Sequence, residues 1–564
     1  MSRRAPAWEK SYPPGVRWEA PIATTTLQEL LDTSLAAYGE RPAFSYRQRT
    51  LSYRAFGDYA ARAAAGFVRL GLGRGSAVAL LLPNTPYHPI SFFATLRAGA
   101  RVVHLSPLDA ERELIHKLND SGARTLVTTN LFGLTSKALR LLAGGHVDSV
   151  IVGDDAAWGP APTPPDVCPE AANVIAFERV LEATPPSHWP DVSRDDIALL
   201  QYTGATTGVP KAATLTHANL TAAVSSYKEW VRAQIRVGAT PDRVIMVLPL
   251  FHIYGLCSVM LRHLASGNEL MLRPRFDVEA VLRDIEVERA TSFAGVPTMW
   301  IALVNHPGIE ARDFSSLRVV ASGGAPLPVE VAERVKRITG LSLPSGWGMT
   351  ETSPAGISPP ANCLPKPGTI GMPLPGITVE VVAVDDPHRV LGVGQIGELR
   401  IKGPNVMKGY WNRPAETAAV FVDGFFLTGD IGYMDEDGYF FLVDRKQDLI
   451  ISGGFNVYPA VVEHAIYEHP DVEEVLVIGV PDAYRGEAAK AFVRLRRGAP
   501  ELTLEALRAF LSDKLGRHEL PAALEIRASL PRTSVGKLSK RELVQEERET
   551  SSTNRQAIHT HEGS

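Results

Sequence analysis

The chain has 564 residues, 45% hydrophobic and 21% charged, which is room for more than one domain and an ordinary composition for a globular protein. Its 58 Lys and Arg against 62 Asp and Glu leave a formal net charge of −4, so nothing electrostatic points to a nucleic-acid partner. Three widely spaced cysteines, Cys168, Cys257 and Cys363, give neither a disulfide framework nor a zinc spacing and suggest a reducing compartment.

No apolar run is long enough to span a membrane, and the basic start Met1-Ser2-Arg3-Arg4 lacks the apolar segment of a signal peptide. The expected location is cytoplasmic, with peripheral membrane contact and a homodimer left open. Residues 1 to about 25 are Pro-rich and irregular. Thr26 followed by Glu29 predicts a capped helix start, continued by Leu31 and Leu35. Strand and helix signals then alternate: strands over 77–82, 126–129 and 150–152, and a helix over 89–96. Such alternation argues a layered α/β domain with parallel strands. Residues 154–169 are rich in Pro and Ala and read as a surface excursion.

The stretch Gln201-Tyr202-Thr203-Gly204-Ala205-Thr206-Thr207-Gly208-Val209-Pro210-Lys211 follows the strand signal 197–200. Glycines let successive backbone N–H groups converge on an anion; threonine hydroxyls and a lysine add donors and charge. A polyphosphate suits such a loop, although the spacing is not that of a Walker A motif. Taken alone it is as often a plain surface turn.

A strand over 244–248 leads into Leu248-Pro249-Leu250-Phe251-His252-Ile253-Tyr254-Gly255. This places His252 past a strand's carboxyl end, where ligands of open α/β sheets collect. Val319–Ser322 enters the turn Gly323-Gly324-Ala325-Pro326. A second turn, Ser345-Gly346-Trp347-Gly348-Met349-Thr350-Glu351-Thr352, sets a hydroxyl beside a carboxylate. A glutamate at a phosphate site repels its guest unless Mg²⁺ bridges them. Beyond residue 375 short strands and turns take over, clearest at 399–403 and 439–443, with a hairpin turn at Asp435-Glu436-Asp437-Gly438. The charge run Asp444-Arg445-Lys446-Gln447-Asp448 reads as a junction. A small α+β unit follows: helix 459–469, strands 475–480 and 491–495, and helix 502–515. The polar residues from Thr550 are expected to be disordered.

In this order the motifs make the chain, over roughly residues 20–545, resemble the adenylate-forming superfamily of acyl-CoA synthetases, luciferase and peptide-synthetase adenylation domains. The set also includes Leu427-Thr428-Gly429-Asp430, Ser452-Gly453-Gly454-Phe455-Asn456-Val457-Tyr458-Pro459 and Pro531-Arg532-Thr533-Ser534-Val535-Gly536-Lys537. The nearest likeness is to bacterial medium- to long-chain fatty acid–CoA ligases.

The resemblance implies an α/β fold. A large N-terminal domain over 1–445 would hold layered α/β subdomains and a β-rich one, followed by a mobile α+β domain over 446–549 and a tail over 550–564. It implies ATP, Mg²⁺ and coenzyme A, with acyl-AMP as intermediate. Lys537 would bridge the attacking carboxylate and the α-phosphate. Thr203, Gly204, Thr206, Thr207, Gly208 and Lys211 would hold the β- and γ-phosphates. Thr350 would touch the α-phosphate, and Glu351 would hold the metal. Gly324, Ala325, Pro326, Gly346, Trp347 and Gly348 would frame adenine. Asp430 would take the ribose hydroxyls, reinforced by Arg445. His252 would stand at the mouth of the acyl pocket, and Gly453, Gly454 and Phe455 belong to a CoA-using loop.

The chain departs from the family pattern at Ala205, Ala212 and Gln447. The two alanines are expected to add a Cβ near the triphosphate, and Gln447 is kept as the hinge. The candidate acyl-wall segments 251–256, 293–299 and 346–349 contain no Lys or Arg, which favours a monocarboxylic acid. Arg262 and Arg273 are the nearby cations able to change that. A carrier-protein acyl-AMP ligase and a nucleotide-binding scaffold are the competing functions.

Overall fold

In the computed structural model the described residues are 6–160, 166, 171–203, 210–232, 240–325, 327–360, 366–452, 455–482, 484–532 and 538–549. The chain packs as two compact units. Met1–Val379, Ile401–Phe426 and Glu436–Phe440 make the first; Glu380–Arg400, Leu427–Asp435 and Phe441–Ser564 make the second. The strand-rich stretches 380–400 and 427–435 thus pack with the C-terminal residues, a grouping by contact that a boundary drawn along the chain does not capture.

Two sheets organise the first unit. A seven-stranded sheet runs in the order Val174–Ala176, Ser149–Gly153, Thr125–Thr129, Ala77–Leu80, Arg101–His104, Ile197–Tyr202, Ala212–Thr216. All its neighbours are parallel except the last pair. A six-stranded sheet runs Val319–Ser322, Ser292–Gly295, Arg243–Met246, Glu269–Leu272, Pro42–Tyr46, Arg49–Ser52, parallel until the final hairpin. The strands are near-continuous runs of Val, Leu, Ile and Ala buried along their length, as parallel strands must be.

The helix Leu27–Tyr38 starts as expected: the Thr26 side chain accepts from the backbone of Glu29, and the Glu29 carboxylate accepts from that of Thr26. The helix expected over 89–96 forms as Tyr87–Arg97 and is buried on nearly every face. Of the stretch 154–169, expected as a surface excursion, the described start is anchored at two residues. Asp155 and Trp158 are buried. The Tyr46 hydroxyl donates to Asp155 at 2.8 Å, Arg47 pairs with the same carboxylate, and the Trp158 ring packs against Tyr87. One carboxylate and one indole hold this segment, and its Pro/Ala-rich composition conceals them. The proposed tail over 550–564 lies outside the described residues.

In the second unit a five-stranded sheet pairs Val472–Asp482 with Gly486–Leu495, to which Ile450–Ser452 and Ala523–Ile526 add. The helices Pro459–Tyr467 and Leu504–Leu511 contribute Val462, Ile466, Leu507 and Leu511 to a core with Val475, Val477, Ala491 and Val493.

Candidate active site

Two paired strands flank the phosphate-loop sequence. Ile197–Tyr202 and Ala212–Thr216 are antiparallel, and Thr203 N–H donates to the Lys211 carbonyl at 2.9 Å where the loop begins. Gly204, Ala205, Thr206, Thr207 and Gly208 lie outside the described residues. Ala212 is buried in the core cluster with Leu200 and Tyr202, so its methyl serves packing rather than the expected approach to the triphosphate.

A segment far along the chain fastens this hairpin to the Thr350–Glu351 turn. Thr214 N–H donates to the Gly409 carbonyl at 2.9 Å, and Trp411 N–H to that of Ala212 at 2.8 Å. Met407 N–H donates to the Glu351 carbonyl at 2.8 Å. The Tyr410 hydroxyl then reaches Glu351 Oε1 at 2.9 Å, and the Lys211 ammonium sits 5.3 Å from the Tyr410 ring centroid. Lys211 also pairs with Glu416, whose carboxyl that contact holds below its ordinary range. Burial and the neighbouring Glu351 push the Tyr410 phenol up, so it stays a neutral donor.

Glu351 is only 6% exposed, which suits a carboxylate kept for one strong electrostatic partner. Asn405 fixes the turn from below, its amide donating to the carbonyls of Thr352 and Ala355, both at 2.7 Å. Among the described residues no three His, Cys, Asp or Glu side chains gather as metal ligands. One buried carboxylate with substrate phosphates is nonetheless how Mg²⁺ is commonly held, with water completing its shell, so Glu351 fits the ion.

The two glycine turns expected at the adenine lie side by side. Ser322 and Ser345 form a parallel bridge, and Ser322 N–H donates to the Pro344 carbonyl at 2.9 Å. Gly324, at φ +79°, and Ala325 leave the strand there. Gly346, Trp347 and Gly348 continue the other chain, and Trp347 exchanges two backbone hydrogen bonds with Ile357, at 2.8 and 2.9 Å. A Cβ on Gly348 would lie 1.5 Å from the Pro354 oxygen, so glycine is obligatory there. Pro326 lies outside the described residues.

His252 follows Arg243–Met246, as expected, on a segment clamped by Asn84, whose amide donates to the Met246 and Leu248 carbonyls at 2.9 Å. His252 Nδ1 accepts from Tyr254 N–H at 3.2 Å, which leaves Nε2 as the proton-bearing nitrogen of the neutral ring. Gln201 links this place to the hairpin: its amide donates to the Phe251 carbonyl at 2.9 Å, and its oxygen meets His104 Nδ1 at 2.9 Å.

The second unit carries its own pair. Asp430 is buried, and Arg445 Nε lies 2.6 Å from its Oδ1. Gly429 N–H donates to Glu398, which Lys446 also holds at 2.7 Å. Asp444 caps the helix Pro459–Tyr467 through Ala460 N–H at 2.6 Å. Gln447 lies in the single 3₁₀ turn Lys446–Asp448. Phe455 is 61% exposed beside the Gly453 and Gly454 positions, which lie outside the described residues, as does Lys537.

Sequence reasoning missed Tyr410, Glu416 and Asn405. The one local signal was Gly409 ahead of the pair Tyr410-Trp411, because Gly409 adopts φ +145°.

The "AMP-binding enzyme" family model matches residues 31–411, and its C-terminal domain model matches 461–537. The chain belongs to the AMP-binding enzyme family, and so is an AMP-forming acid–thiol ligase that works with ATP, Mg²⁺ and CoA. It is 38% identical to the long-chain-fatty-acid–CoA ligase of Bacillus subtilis over 561 residues, covering 96% of this chain and 98% of the relative. It is 38% identical to the feruloyl-CoA synthase of an Amycolatopsis species over 498 residues, covering 87% and 93%. Among solved structures, ATP-bound MatB from Rhodopseudomonas palustris is similar at a TM-score of 0.81 and 29% identity, covering 92% and 98%.

Proposed function

We propose that the acid is a fatty acid: carboxylate and ATP give acyl-AMP and pyrophosphate, and CoA then displaces AMP to give acyl-CoA. The observation that carries this reading is the near full-length likeness to a long-chain-fatty-acid–CoA ligase.

Attack of a carboxylate on a phosphate brings like charges together, so the residues act chiefly by electrostatics and positioning. Lys211 and the phosphate loop hold the β- and γ-phosphates, Thr350 donates to the α-phosphate, and Lys537 neutralises the meeting charges. Glu351 would hold Mg²⁺, which would supply further neutralisation of the phosphate charge. Asp430, with Arg445, accepts from the ribose hydroxyls, and the paired glycine turns frame adenine. His252 orients the acid through Nε2–H. Residues 446–549 turn about Gln447 between the two half-reactions, and Phe455 with its glycines faces CoA. The cysteine pattern favours a cytoplasmic enzyme.

A panel of acids assayed for ATP- and CoA-dependent AMP release tests the reading. Fatty acyl-CoA formation with free CoA supports it. AMP release without any thioester on free CoA points to a carrier-protein ligase, and no AMP release with any acid to a scaffold. The feruloyl-CoA synthase likeness makes an aryl acid the second reading, and the same panel decides it.

A further inference from the structure

The helical stretch behind His252 carries a polar stripe in an apolar setting. It winds as a π-helix over Tyr254–Leu261 and as an α-helix over Arg262–Leu264. Wide turns of this kind are rare and recur at functional sites. Leu256, Cys257, Val259, Met260 and Leu261 are buried. Tyr254, Ser258 and Arg262 interrupt them at intervals of four, so they share one face. Ser258 Oγ donates to the Tyr227 hydroxyl at 3.0 Å, and Tyr227 belongs to the packed helix His217–Arg232. The stripe begins beside the adenine turn, because a Cβ on Gly323 would lie 3.1 Å from the Tyr254 hydroxyl.

Tyr227, Tyr254 and Arg262 lie deep in the first unit. Each nevertheless keeps accessible surface. Surface kept at that depth borders an internal space.

Arg262 is a half-buried cation at that depth. Its Nε donates to the Ser258 carbonyl and its Nη2 to His263 Nε2, both at 2.7 Å. Among the described residues no carboxylate forms an ion pair with it. Asp242, whose charge reaches it, is already committed to Arg318 at 2.6 Å and to the Thr291 hydroxyl at 2.8 Å. Burial pulls the Arg262 pKa down, the mark of an uncompensated charge. Leaving such a charge unpaired is costly, and guanidinium is shaped to take a carboxylate by two parallel hydrogen bonds. Arg273 offers no such opening, because its Nε donates to the buried Asp284 at 2.8 Å. Ten residues separate Arg262 from His252, eight of them in the π-helix, so the cation stands about two turns along the helix from the histidine.

We propose that Arg262, with the hydroxyls of Tyr227, Tyr254 and Ser258, forms an oxyanion subsite at the distal end of the acyl pocket, and that the acid carries a second carboxylate there. The substrate class is then a medium-chain α,ω-dicarboxylic acid, which refines the fatty-acid reading and rests on it. The reacting carboxylate meets His252, and its twin docks on the guanidinium fork. A monoacid of the same length leaves Arg262 unpaired and forfeits that contact.

The test compares kcat/KM for diacids and monoacids of equal length, from hexane to octadecane chains, in wild type, Arg262→Met and Arg262→Lys. A wild-type diacid preference of about tenfold or more is expected within one window of length, as for one charge-assisted contact. Arg262→Met should lower the diacid-to-monoacid ratio at least as far, and Arg262→Lys should keep part of it. A ratio cancels a general loss of folded enzyme, and should the Met variant not fold, Arg262→Gln carries the same comparison. Monoacids preferred at every length, or a ratio unmoved by removing the guanidinium, overturn the subsite while leaving the fatty-acid reading intact. No turnover of any aliphatic acid overturns that reading instead.

Discussion

Tyr410 donates its phenol hydrogen to Glu351 Oε1 at 2.9 Å while its ring lies 5.3 Å from the Lys211 ammonium. One side chain thus spans the carboxylate assigned to Mg²⁺ and the cation assigned to the phosphates. Partners of a metal ligand fix its orientation, and losing one typically costs about ten- to a hundredfold in metal affinity. Tyr410→Phe keeps the ring against Lys211 and removes only the hydroxyl. The Mg²⁺ concentration for half-maximal AMP release should rise about tenfold, with KM for the acid and the melting temperature nearly unchanged. An unaltered Mg²⁺ titration shows that Tyr410 does not position Glu351.

Glu351→Gln acts on the same ligand directly. The amide is nearly isosteric and keeps a carbonyl acceptor, so the turn clamped by Asn405 should persist. Mg²⁺ demand should rise further than in Tyr410→Phe, and the order of preferred acids should stay as in wild type. Normal Mg²⁺ dependence removes Glu351 from the metal site.

In the role proposed for it, Lys537 bears on one half-reaction: its charge would matter while carboxylate meets α-phosphate and not when thiol meets acyl-AMP. Lys537→Ala should slow acyl-AMP formation by about a hundredfold or more, the scale of one preorganised electrostatic contact. Reaction of preformed acyl-AMP with CoA should be largely spared. Rapid-quench measurement of each half-reaction decides it, and equal losses in both contradict the role.

Much of this was legible in the sequence because it is local. The Thr26–Glu29 cap, the apolar strands and the glycine turns are each set by neighbours a few residues apart. What stayed hidden is the long-range pairing. Ala212–Thr216 is one short strand among many in the sequence, yet it pairs antiparallel with Ile197–Tyr202 where the rest of its sheet is parallel. Tyr410 and Asn405 reach the site only because the 405–411 segment docks on that strand and on Glu351, some 60 residues upstream. Arg262 could be named from sequence but not weighed, since its worth depends on which carboxylates fail to reach it.

The turn Lys446–Asp448 joins strand Phe440–Arg445 to strand Ile450–Ser452 and is short enough for one residue to control its direction. Proline fixes φ near −65° and removes a donor, so Gln447→Pro should restrict the backbone rotation that a turning domain needs. Acyl-AMP formation should survive and thioester formation should collapse. Overall turnover near wild type shows that Gln447 is not the hinge.

Buried histidines give the fold an acid sensitivity above the usual carboxylate range. Burial pulls the pKa of His104 and of His217 from 6.5 down to about 4, and drives those of His88 and His263 well below 6.5. His88 has neither ring nitrogen bonded, and His217 Nδ1 spends its lone pair on Leu27 N–H at 3.2 Å, so neither ring is built to carry a charge. A folded-state pKa below the unfolded one means that below pH 6.5 the unfolded chain binds more protons, and stability is lost as the pH falls. At 1.36 kcal/mol per pH unit, each of the two shifts to about 4 is worth about 3 kcal/mol once the pH reaches 4. Carboxyls raised by burial, such as Asp109 and Asp284, act with the opposite sign, and those lowered by partners, such as Asp313, act only at lower pH. Between pH 6.5 and 5 the histidines pull stability down, and the raised carboxyls offset part of that loss. The melting temperature should be flat from pH 8 to 7 and should fall steadily below 6.5, with His104→Gln falling less steeply than wild type. A wild-type profile that stays flat down to pH 5 means that these rings accept protons without unfolding the protein.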